Sequence, residues 1–327
     1  MNNLYPLKFK PLFKDKIWGG QRISSVLGLN FSPLPNCGEA WVLSGVHGSE
    51  TKVCNGFLEG NTVNDLLEVY MEDLVGERAF EKSTTEFPIL VKFIDANDYL
   101  SVQVHPDDAL AARRNIGNGK TEMWYILEAE KNAELIDGFN RKIDKKTYLD
   151  SIRHKQIRDI LNVEKVKKGD VFYIPAGRVH ALGPGILLAE IQQTSDTTYR
   201  IYDWERLDDQ GHSRELHTDL AVDAIDFSEP GTILTKYPEV KNRPVTLVDS
   251  PNFTTNMLSF NKALRLNYEA RDSFVILVCV EGSTLVDDGT TKERLAIGEV
   301  MLIPAILENI VLLPENDCKI LEVYVSE

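Results

Sequence analysis

The chain has 327 residues and a formal net charge of −14, with 43% hydrophobic and 26% charged residues. These proportions are typical of a soluble globular protein, and the acidic surface that they predict would repel nucleic acids and anionic membranes. No run approaches the ~20 apolar residues of a membrane helix, and residues 1–6 lack the pattern of an export signal, so a cytoplasmic location is expected.

Short strands dominate the predicted elements of the first 200 residues. Alternating or continuous apolar runs, bounded by turn residues, are typical of strands. The strands predicted in this way are residues 39–44, 87–94, 100–104, 122–127, 134–137, 171–174, 187–192 and 199–202. Helical spacing predicts a helix over residues 63–70, and Asp107 is the candidate N-cap of a second helix that ends near Asn115.

One helical insertion interrupts the strands. The apolar residues of 144–161 approximate a helical stripe, which predicts an insertion there. Residues 228–242 contain Pro230, Gly231 and Pro238 and are typical of a connector. We therefore predict a mainly β protein with two domains. Residues 1–240 include the insertion, and residues 241–327 consist of short strands.

An internal repeat supports two related β-domains. Two stretches read glycine, an acidic residue, four apolar residues, proline and alanine. They are residues 169–176 and 298–305. The second copy has Asn309 where the first has His180, and Ser273 is the proposed counterpart of Glu122. The second domain is therefore expected to keep the strands of the first but to lack its polar residues.

Four residues of the first domain are candidate metal ligands. Gln103 and His105 lie two apart on a strand, so their side chains share one face. Glu122 opens the next strand and His180 follows a third, and in a small β-barrel such positions can converge. Two imidazoles, a carboxylate and an amide oxygen suit Zn²⁺, whereas the four cysteines contain no C-x-x-C pair and do not account for a metal site.

Part of this region resembles the cupin signature. The motif G-x5-P-x-G-x2-H is met in full by Gly169, Pro175, Gly177 and His180. The cupin H-x-H element is met only loosely, by residues 103–105, and the glutamate lies further along the chain than usual. The resemblance implies two cupin-type, jelly-roll-like β-barrels, of which the first carries the metal.

Longer runs resemble type I mannose-6-phosphate isomerase, in its short bacterial form. These runs are residues 17–20, 39–41, 101–108, 119–125, 175–180 and 190–203. The resemblance implies one zinc ion per chain and a sugar phosphate substrate, mannose 6-phosphate, which is interconverted with fructose 6-phosphate. It places Gln103, His105, Glu122 and His180 at the ligand positions.

The same resemblance assigns catalytic residues. It places Arg200 and Lys120 in the active site, where cations suit the charge of an enediolate and of a phosphate. Arg178 and Lys92 are weaker candidates for contact with the phosphate. The general base stays open among Glu190, Lys120 and a zinc-bound water.

Two other functions fit the same residues. A different metal-dependent cupin enzyme, such as an oxygenase, would use iron at a site of two histidines and a carboxylate. A non-catalytic sugar-binding module with two cupin domains would use the metal as a structural element. The sequence leaves the oligomeric state open.

Overall fold

The computed structural model describes residues 4–83, 85–207, 210–228 and 234–325. β-Strands predominate, which confirms the predicted mainly β class. Among the described residues, no helix combines the length and the apolar character that crossing a bilayer requires.

The N-terminal elements run in a regular order. They are β1 (Leu7–Lys10), β2 (Leu12–Lys14), α1 (Arg22–Ser25), β3 (Glu39–Leu43), β4 (Lys52–Val53), a 3₁₀ turn (Gly56–Leu58), α2 (Val63–Val75), α3 (Glu77–Lys82), β5 (Ile89–Ala96), β6 (Val102–Val104), α4 (Asp108–Arg114), β7 (Glu122–Ala129) and β8 (Glu134–Phe139). The side chain of Asp107 accepts a hydrogen bond from the Leu110 backbone N–H at 2.7 Å, so the predicted cap of α4 is confirmed.

The rest of the chain continues the alternation of strands. It contains α5 (Lys145–Arg153), a 3₁₀ turn (Ile157–Ile160), β9 (Leu161–Lys165), β10 (Val171–Ile174), β11 (His180–Leu182), β12 (Ile186–Gln193), β13 (Tyr199–Tyr202), α6 (Thr218–Ala224), β14 (Arg243–Asp249), β15 (Thr254–Phe260), β16 (Leu264–Asn267), β17 (Val275–Glu281), β18 (Ser283–Asp287), β19 (Lys292–Ala296), β20 (Val300–Ile303), β21 (Asn309–Pro314) and β22 (Cys318–Tyr324).

Two sheets face each other and form what we call the first sandwich. One has the strand order β10-β7-β12-β5-β3-β2, and the other has the order β13-β6-β11-β8-β9. Their inner faces share one core, in which Trp124 and Ile94 of the first sheet pack with Leu135 and Leu182 of the second. This double-sheet arrangement is the cupin-like architecture that the sequence predicts.

The second sandwich is built from the C-terminal strands. A seven-stranded sheet, β14-β15-β22-β17-β20-β1-β4, faces a four-stranded sheet, β16-β21-β18-β19. Its core includes Leu277 and Ile320 from the larger sheet and Val286 and Leu312 from the smaller one. Because β1 pairs with β20 and β4 pairs with β1, a cut at residue 240 would separate two strands from the sheet that they complete.

The helical insertion is shorter than predicted. Helix α5 covers only Lys145–Arg153, and Lys155 then adopts a left-handed conformation with φ of 57°. A single 3₁₀ turn follows, and from Leu161 the chain is already a strand. Helices α5 and α6 cover the outer face of the five-stranded sheet, where Tyr148 packs in the same cluster as Val104.

Strand pairing corrects one detail of the internal repeat. Ile174 lies opposite Glu122 in the first sandwich, whereas its counterpart Ile303 lies opposite Val275 in the second. The counterpart of Glu122 is therefore Val275 and not Ser273, which lies two residues earlier. A shift by two residues preserves the inward or outward direction of every side chain, so the alternation of residues alone could not reveal it.

Candidate metal centre

Three side chains that can bind a metal converge inside the first sandwich. Their ligand atoms all lie within 4.8 Å of one another, and the residues are His105, Glu122 and His180. Each of them is at most 1% exposed. His105 Nε2 lies 3.5 Å from Glu122 Oε2, and His180 Nε2 lies 3.3 Å from Glu122 Oε1. The convergence expected from the sequence is therefore present.

Backbone carbonyls orient both imidazoles. His105 Nδ1 lies 3.0 Å from the carbonyl oxygen of Thr197, and His180 Nδ1 lies 2.8 Å from that of Arg178. A carbonyl only accepts hydrogen bonds, so each Nδ1 carries the proton and each Nε2 keeps its lone pair. This is the arrangement in which a protein holds a histidine ready for a metal ion.

The buried polar atoms of the cluster fit a divalent metal ion. Glu122 Oε1 and His180 Nε2 have no hydrogen-bond partner among the residues that the structure describes. Burial lowers the pKa of His180 to about 4, and burial together with Lys120 holds the pKa of His105 well below its usual range. Both imidazoles are therefore neutral near pH 7, as metal coordination requires.

The long segment between His105 and Glu122 closes back on the site. Helix α4 fills this gap, and the Lys120 backbone N–H donates to the carbonyl of Pro106 at 3.0 Å. Lys120 Nζ consequently lies 2.9 Å from His105 Nε2 and 3.0 Å from Glu122 Oε2. The two side chains meet as expected, but Lys120 lies just before β7, so the closing segment rather than strand alternation brings them together.

The backbone conformation explains the second glycine of the cupin-like motif. Gly177 has a φ of 89°, a conformation that residues with a side chain rarely adopt. Its backbone N–H donates to the carbonyl of His105 at 2.9 Å. The turn before His180 is thereby attached to the strand end that carries the other ligand histidine.

One row of residues crosses the five-stranded sheet. Gln103 on β6 lies opposite His180 on β11 and opposite Arg200 on β13. Neighbouring positions in such a row point to the same face of the sheet. Val102 and Val104 belong to the outer cluster, which leaves Gln103 on the inner face. The pairing thus places Gln103 and Arg200 beside the metal cluster.

A second row crosses the opposite sheet. Glu190 on β12 lies between Trp124 and Lys92 on the adjacent strands. Lys92 Nζ is 3.1 Å from Glu190 Oε2, and Trp124 Nε1 donates to Glu190 Oε1 at 2.9 Å. Burial opposes the ionisation of Glu190, but Lys92 and Lys120 outweigh it and lower the pKa of this carboxyl. Glu190 is therefore an ionised carboxylate.

A cavity of about 280 Å³ lies between these rows. Most of the predicted catalytic and binding residues line it, together with side chains that sequence reasoning did not select. The lining residues are Lys16, Trp18, Glu39, Lys92, Ile94, Leu100, Ser101, Gln103, Lys120, Trp124, Leu182, Glu190, Asp196, Thr198, Arg200 and Arg214. The cavity combines five cations with three carboxylates, so it suits a polar ligand that carries negative charge.

Glu39 and Trp124 are the main polar residues that the sequence reasoning missed. Glu39 Oε1 is 3.1 Å from Lys16 Nζ, and its Oε2 accepts from Trp41 Nε1 at 2.7 Å. Burial opposes its charge, but Lys92 and Lys16 lower the pKa of Glu39 to about 2. Trp124 lies two residues after Glu122 on one strand, so the period of two could have identified it.

Arg178 is not among the residues that line this cavity, and its contact with the substrate stays a prediction. Its Nε and Nη2 donate to the two carboxylate oxygens of Asp137, at 2.6 and 3.1 Å. A two-pronged pair of this kind fixes the guanidinium. Because the Arg178 carbonyl accepts from His180, the geometry favours a role in orienting this histidine over contact with substrate.

Comparisons with known proteins identify relatives of this chain. A sequence profile described as the phosphomannose isomerase type I catalytic domain matches residues 6–151. The chain is 34% identical to a mannose-6-phosphate isomerase of Streptococcus mutans over 300 residues, which cover 91% of this chain and 92% of that relative. It is 35% identical to the mannose-6-phosphate isomerase ManA of Bacillus subtilis over 302 residues, or 91% and 93% of the two chains.

A solved structure extends the similarity to the whole fold. The crystal structure of the mannose 6-phosphate isomerase from Bacillus subtilis matches with a TM-score of 0.86 at 32% identity. The match covers 97% of this chain and 99% of that one. Both sandwiches are therefore part of the shared architecture.

Proposed function

The chain belongs to the type I phosphomannose isomerase family, and on that premise we propose that it interconverts mannose 6-phosphate and fructose 6-phosphate at a zinc site. One observation carries the proposal within this chain. The buried cluster of His105, Glu122 and His180 lies beside a cavity lined by Lys120, Glu190 and other charged residues, which is the chemistry that an anionic sugar requires.

We infer that zinc is held by His105, Glu122 and His180, with Gln103 as the fourth ligand. Two neutral imidazoles and a carboxylate are typical of zinc, and no thiolate takes part. Register places Gln103 directly beside His180. Zinc bound there would act as a Lewis acid toward the oxygens of the sugar.

The side chains of the cavity account for the proton movements. Isomerisation of an aldose to a ketose moves a proton between C1 and C2 through a cis-enediol. Glu190 is ionised and lines the cavity, so we assign it as the acceptor of this proton. Lys120, which is ion-paired with Glu122, is a donor for the sugar oxygens. Arg200 supplies a fixed positive charge for the developing enediolate.

Removal of the metal tests this function directly. After dialysis against a chelator, we expect conversion of mannose 6-phosphate to stop, and we expect added Zn²⁺ to restore it. A sample treated with zinc-saturated chelator is the control, because it differs only in metal content. Glucose 6-phosphate and unphosphorylated mannose, measured in the same coupled assay, define the substrate.

Two outcomes would contradict the proposal. Full activity in a sample shown by metal analysis to be free of metal would remove the zinc site from the reaction. Restoration by Fe²⁺ but not by Zn²⁺, with consumption of oxygen, would instead identify a cupin oxygenase. If no tested sugar phosphate were converted at all, the non-catalytic sugar-binding function would be favoured.

A further inference from the structure

Two arginines hold one buried carboxylate near the cavity. Asp203 is 5% exposed and accepts from Arg214 Nε at 2.7 Å and from Arg214 Nη2 at 2.5 Å. It also accepts from Arg206 Nη2 at 3.3 Å. Arg214 lines the same cavity as Arg200. The reaction described above uses Arg200 but leaves Asp203, Arg206 and Arg214 without a role.

The backbone brings Arg214 next to Arg200. Arg200 Nη1 donates to the carbonyl of Glu215 at 2.8 Å, and the Arg200 backbone N–H donates to His217 Nδ1 at 3.0 Å. The backbone N–H of His217 in turn donates to the Arg200 carbonyl at 2.7 Å. Residues 214–217 are therefore attached to β13 at the position of Arg200, and the two guanidiniums lie near each other.

The lysines of the cavity are neutralised, whereas Arg200 is not. Each lysine has a carboxylate partner, in the pairs Lys16–Glu39, Lys92–Glu190 and Lys120–Glu122. Within the described part of the chain, no carboxylate lies within ion-pair distance of Arg200, and its buried Nε has no hydrogen-bond partner there. Burial and the nearby Arg214 lower the pKa of Arg200. This edge of an otherwise acidic protein therefore carries excess positive charge.

We propose that Arg214 binds the phosphate group of the substrate together with Arg200, and that Asp203 positions Arg214 for this task. A guanidinium presents a planar set of donors that matches phosphate oxygens. Asp203 holds the Nε and Nη2 edge of Arg214, so the side chain is fixed before the ligand arrives. Arg206, on the other side of Asp203, holds the carboxylate in place.

This inference rests on the proposed function, because it names the group that recognises the phosphate of the same substrate. The test therefore has two separate readings. Steady-state kinetics with mannose 6-phosphate report on the enzyme, and calorimetric titration with inorganic phosphate reports on the anion site without any turnover.

The principal variant is Arg214→Gln in the full zinc-loaded chain. We expect KM for mannose 6-phosphate to rise about ten- to a hundredfold, with kcat changed by less than about threefold. The dissociation constant of inorganic phosphate should rise by a similar factor. Arg265→Gln is the matched control, since Arg265 is an exposed arginine of the second sandwich and should leave both constants unchanged.

A second pair of variants tests the positioning role. Asp203→Asn keeps the shape of the side chain but removes its charge, so KM should rise while kcat is retained. Arg214→Lys keeps the charge and loses the planar fork, so it should raise KM severalfold. This variant also keeps the proposal testable if Arg214→Gln does not fold, as judged by thermal melting.

The outcomes separate the two proposals. Suppose that the parent is active and that Arg214→Gln changes neither KM nor phosphate affinity. This result would overturn the role of Arg214 and leave the proposed function intact. If Arg214→Gln is unfolded, Arg214→Lys is judged in the same way. A fall in kcat with unchanged KM would overturn it as well. An inactive parent would overturn the proposed function, while the phosphate titration would still decide whether Arg214 binds the anion.

Discussion

The two sandwiches place different residues at matching strand positions. Where the first has Glu122, His180 and Gln103, the second has Val275, Asn309 and Asn267. One carboxylate occupies the same strand position in both sandwiches. Glu190 lies opposite Trp124 and Lys92 in the first. Glu322 lies opposite Leu277 and Asn256 in the second. The strand framework is therefore shared by a sandwich that has the proposed metal ligands and one that lacks them.

The two kept carboxylates differ in their partners. Glu190 is paired with the buried cation Lys92, whereas Glu322 accepts from Asn256 Nδ2 at 2.7 Å and from the Tyr268 hydroxyl at 2.8 Å. Neutral donors thus satisfy Glu322, with Arg271 in a looser ion pair at 3.7 Å. Glu190 instead takes part in a network of buried charges. The difference teaches that a sandwich of this kind can form without the buried lysine that the first sandwich keeps.

The largest effect is expected when a proposed metal ligand of the first sandwich is replaced by the residue at the matching position of the second. His180→Asn copies the second sandwich, and we expect it to abolish bound zinc and to lower kcat/KM by about a thousandfold or more. The fold should survive, because asparagine occupies the matching position of the other sheet. Metal analysis, the coupled isomerase assay and thermal melting measure the three effects.

Asn309→His is the matched control for that variant. It places a histidine at the exposed start of β21, where Val275 and Asn267 provide no metal ligands, so zinc content and activity should not change. A His180→Asn protein that unfolds would break the comparison, since it would show that the ligand is also needed for the fold.

A smaller effect is expected when Lys92, the ion-pair partner of Glu190, is replaced by the residue at the matching position of the second sandwich. Lys92→Asn copies Asn256 and leaves Glu190 buried without its cation, which should lower the free energy of unfolding by about 3–5 kcal/mol. Urea denaturation measures this change, and the exposed Lys262→Asn is the control. A loss below about 1 kcal/mol would show that an amide satisfies this carboxylate in both sandwiches.

The smallest effect is expected for a substitution in the core of the second sandwich. Tyr268→Phe removes one donor from the buried Glu322, which should cost about 1–2 kcal/mol of stability and leave isomerase activity unchanged. Tyr70→Phe is the control, because the Tyr70 hydroxyl makes no hydrogen bond within the described residues. A marked loss of activity in Tyr268→Phe, with the protein still folded, would connect the second sandwich to catalysis.

Local patterns in the sequence identified much of the site. The motif runs placed Lys120 close to Glu122, and the glycine motif identified His180 as a candidate ligand. Strands 171–174 and 199–202 were predicted at their observed bounds. These features depend on neighbours in the chain, which is why the sequence shows them directly.

Features that depend on distant partners were missed or misplaced. Arg178 pairs with Asp137, which lies about forty residues earlier, and no local pattern indicates that pairing. The counterpart of Glu122 was assigned two residues too early because alternation repeats every two positions. The role of Arg214 depends on the attachment of residues 214–217 to β13, which only the folded chain reveals.

The N-terminal strands β1 and β4 belong to the sheet of the second sandwich, and this has a consequence for biosynthesis. Leu7 pairs with Leu302, so β1 leaves the ribosome about 300 residues before its partner β20. At typical elongation rates of roughly 5–20 residues per second, that delay is about 15–60 seconds. Of the two neighbours of β1 in the folded sheet, only β4 has been made during this time, so one edge of β1 still lacks its partner. The sheet of the second sandwich can thus be completed only after β20 has been made, and it then takes in a strand that was made about 300 residues earlier.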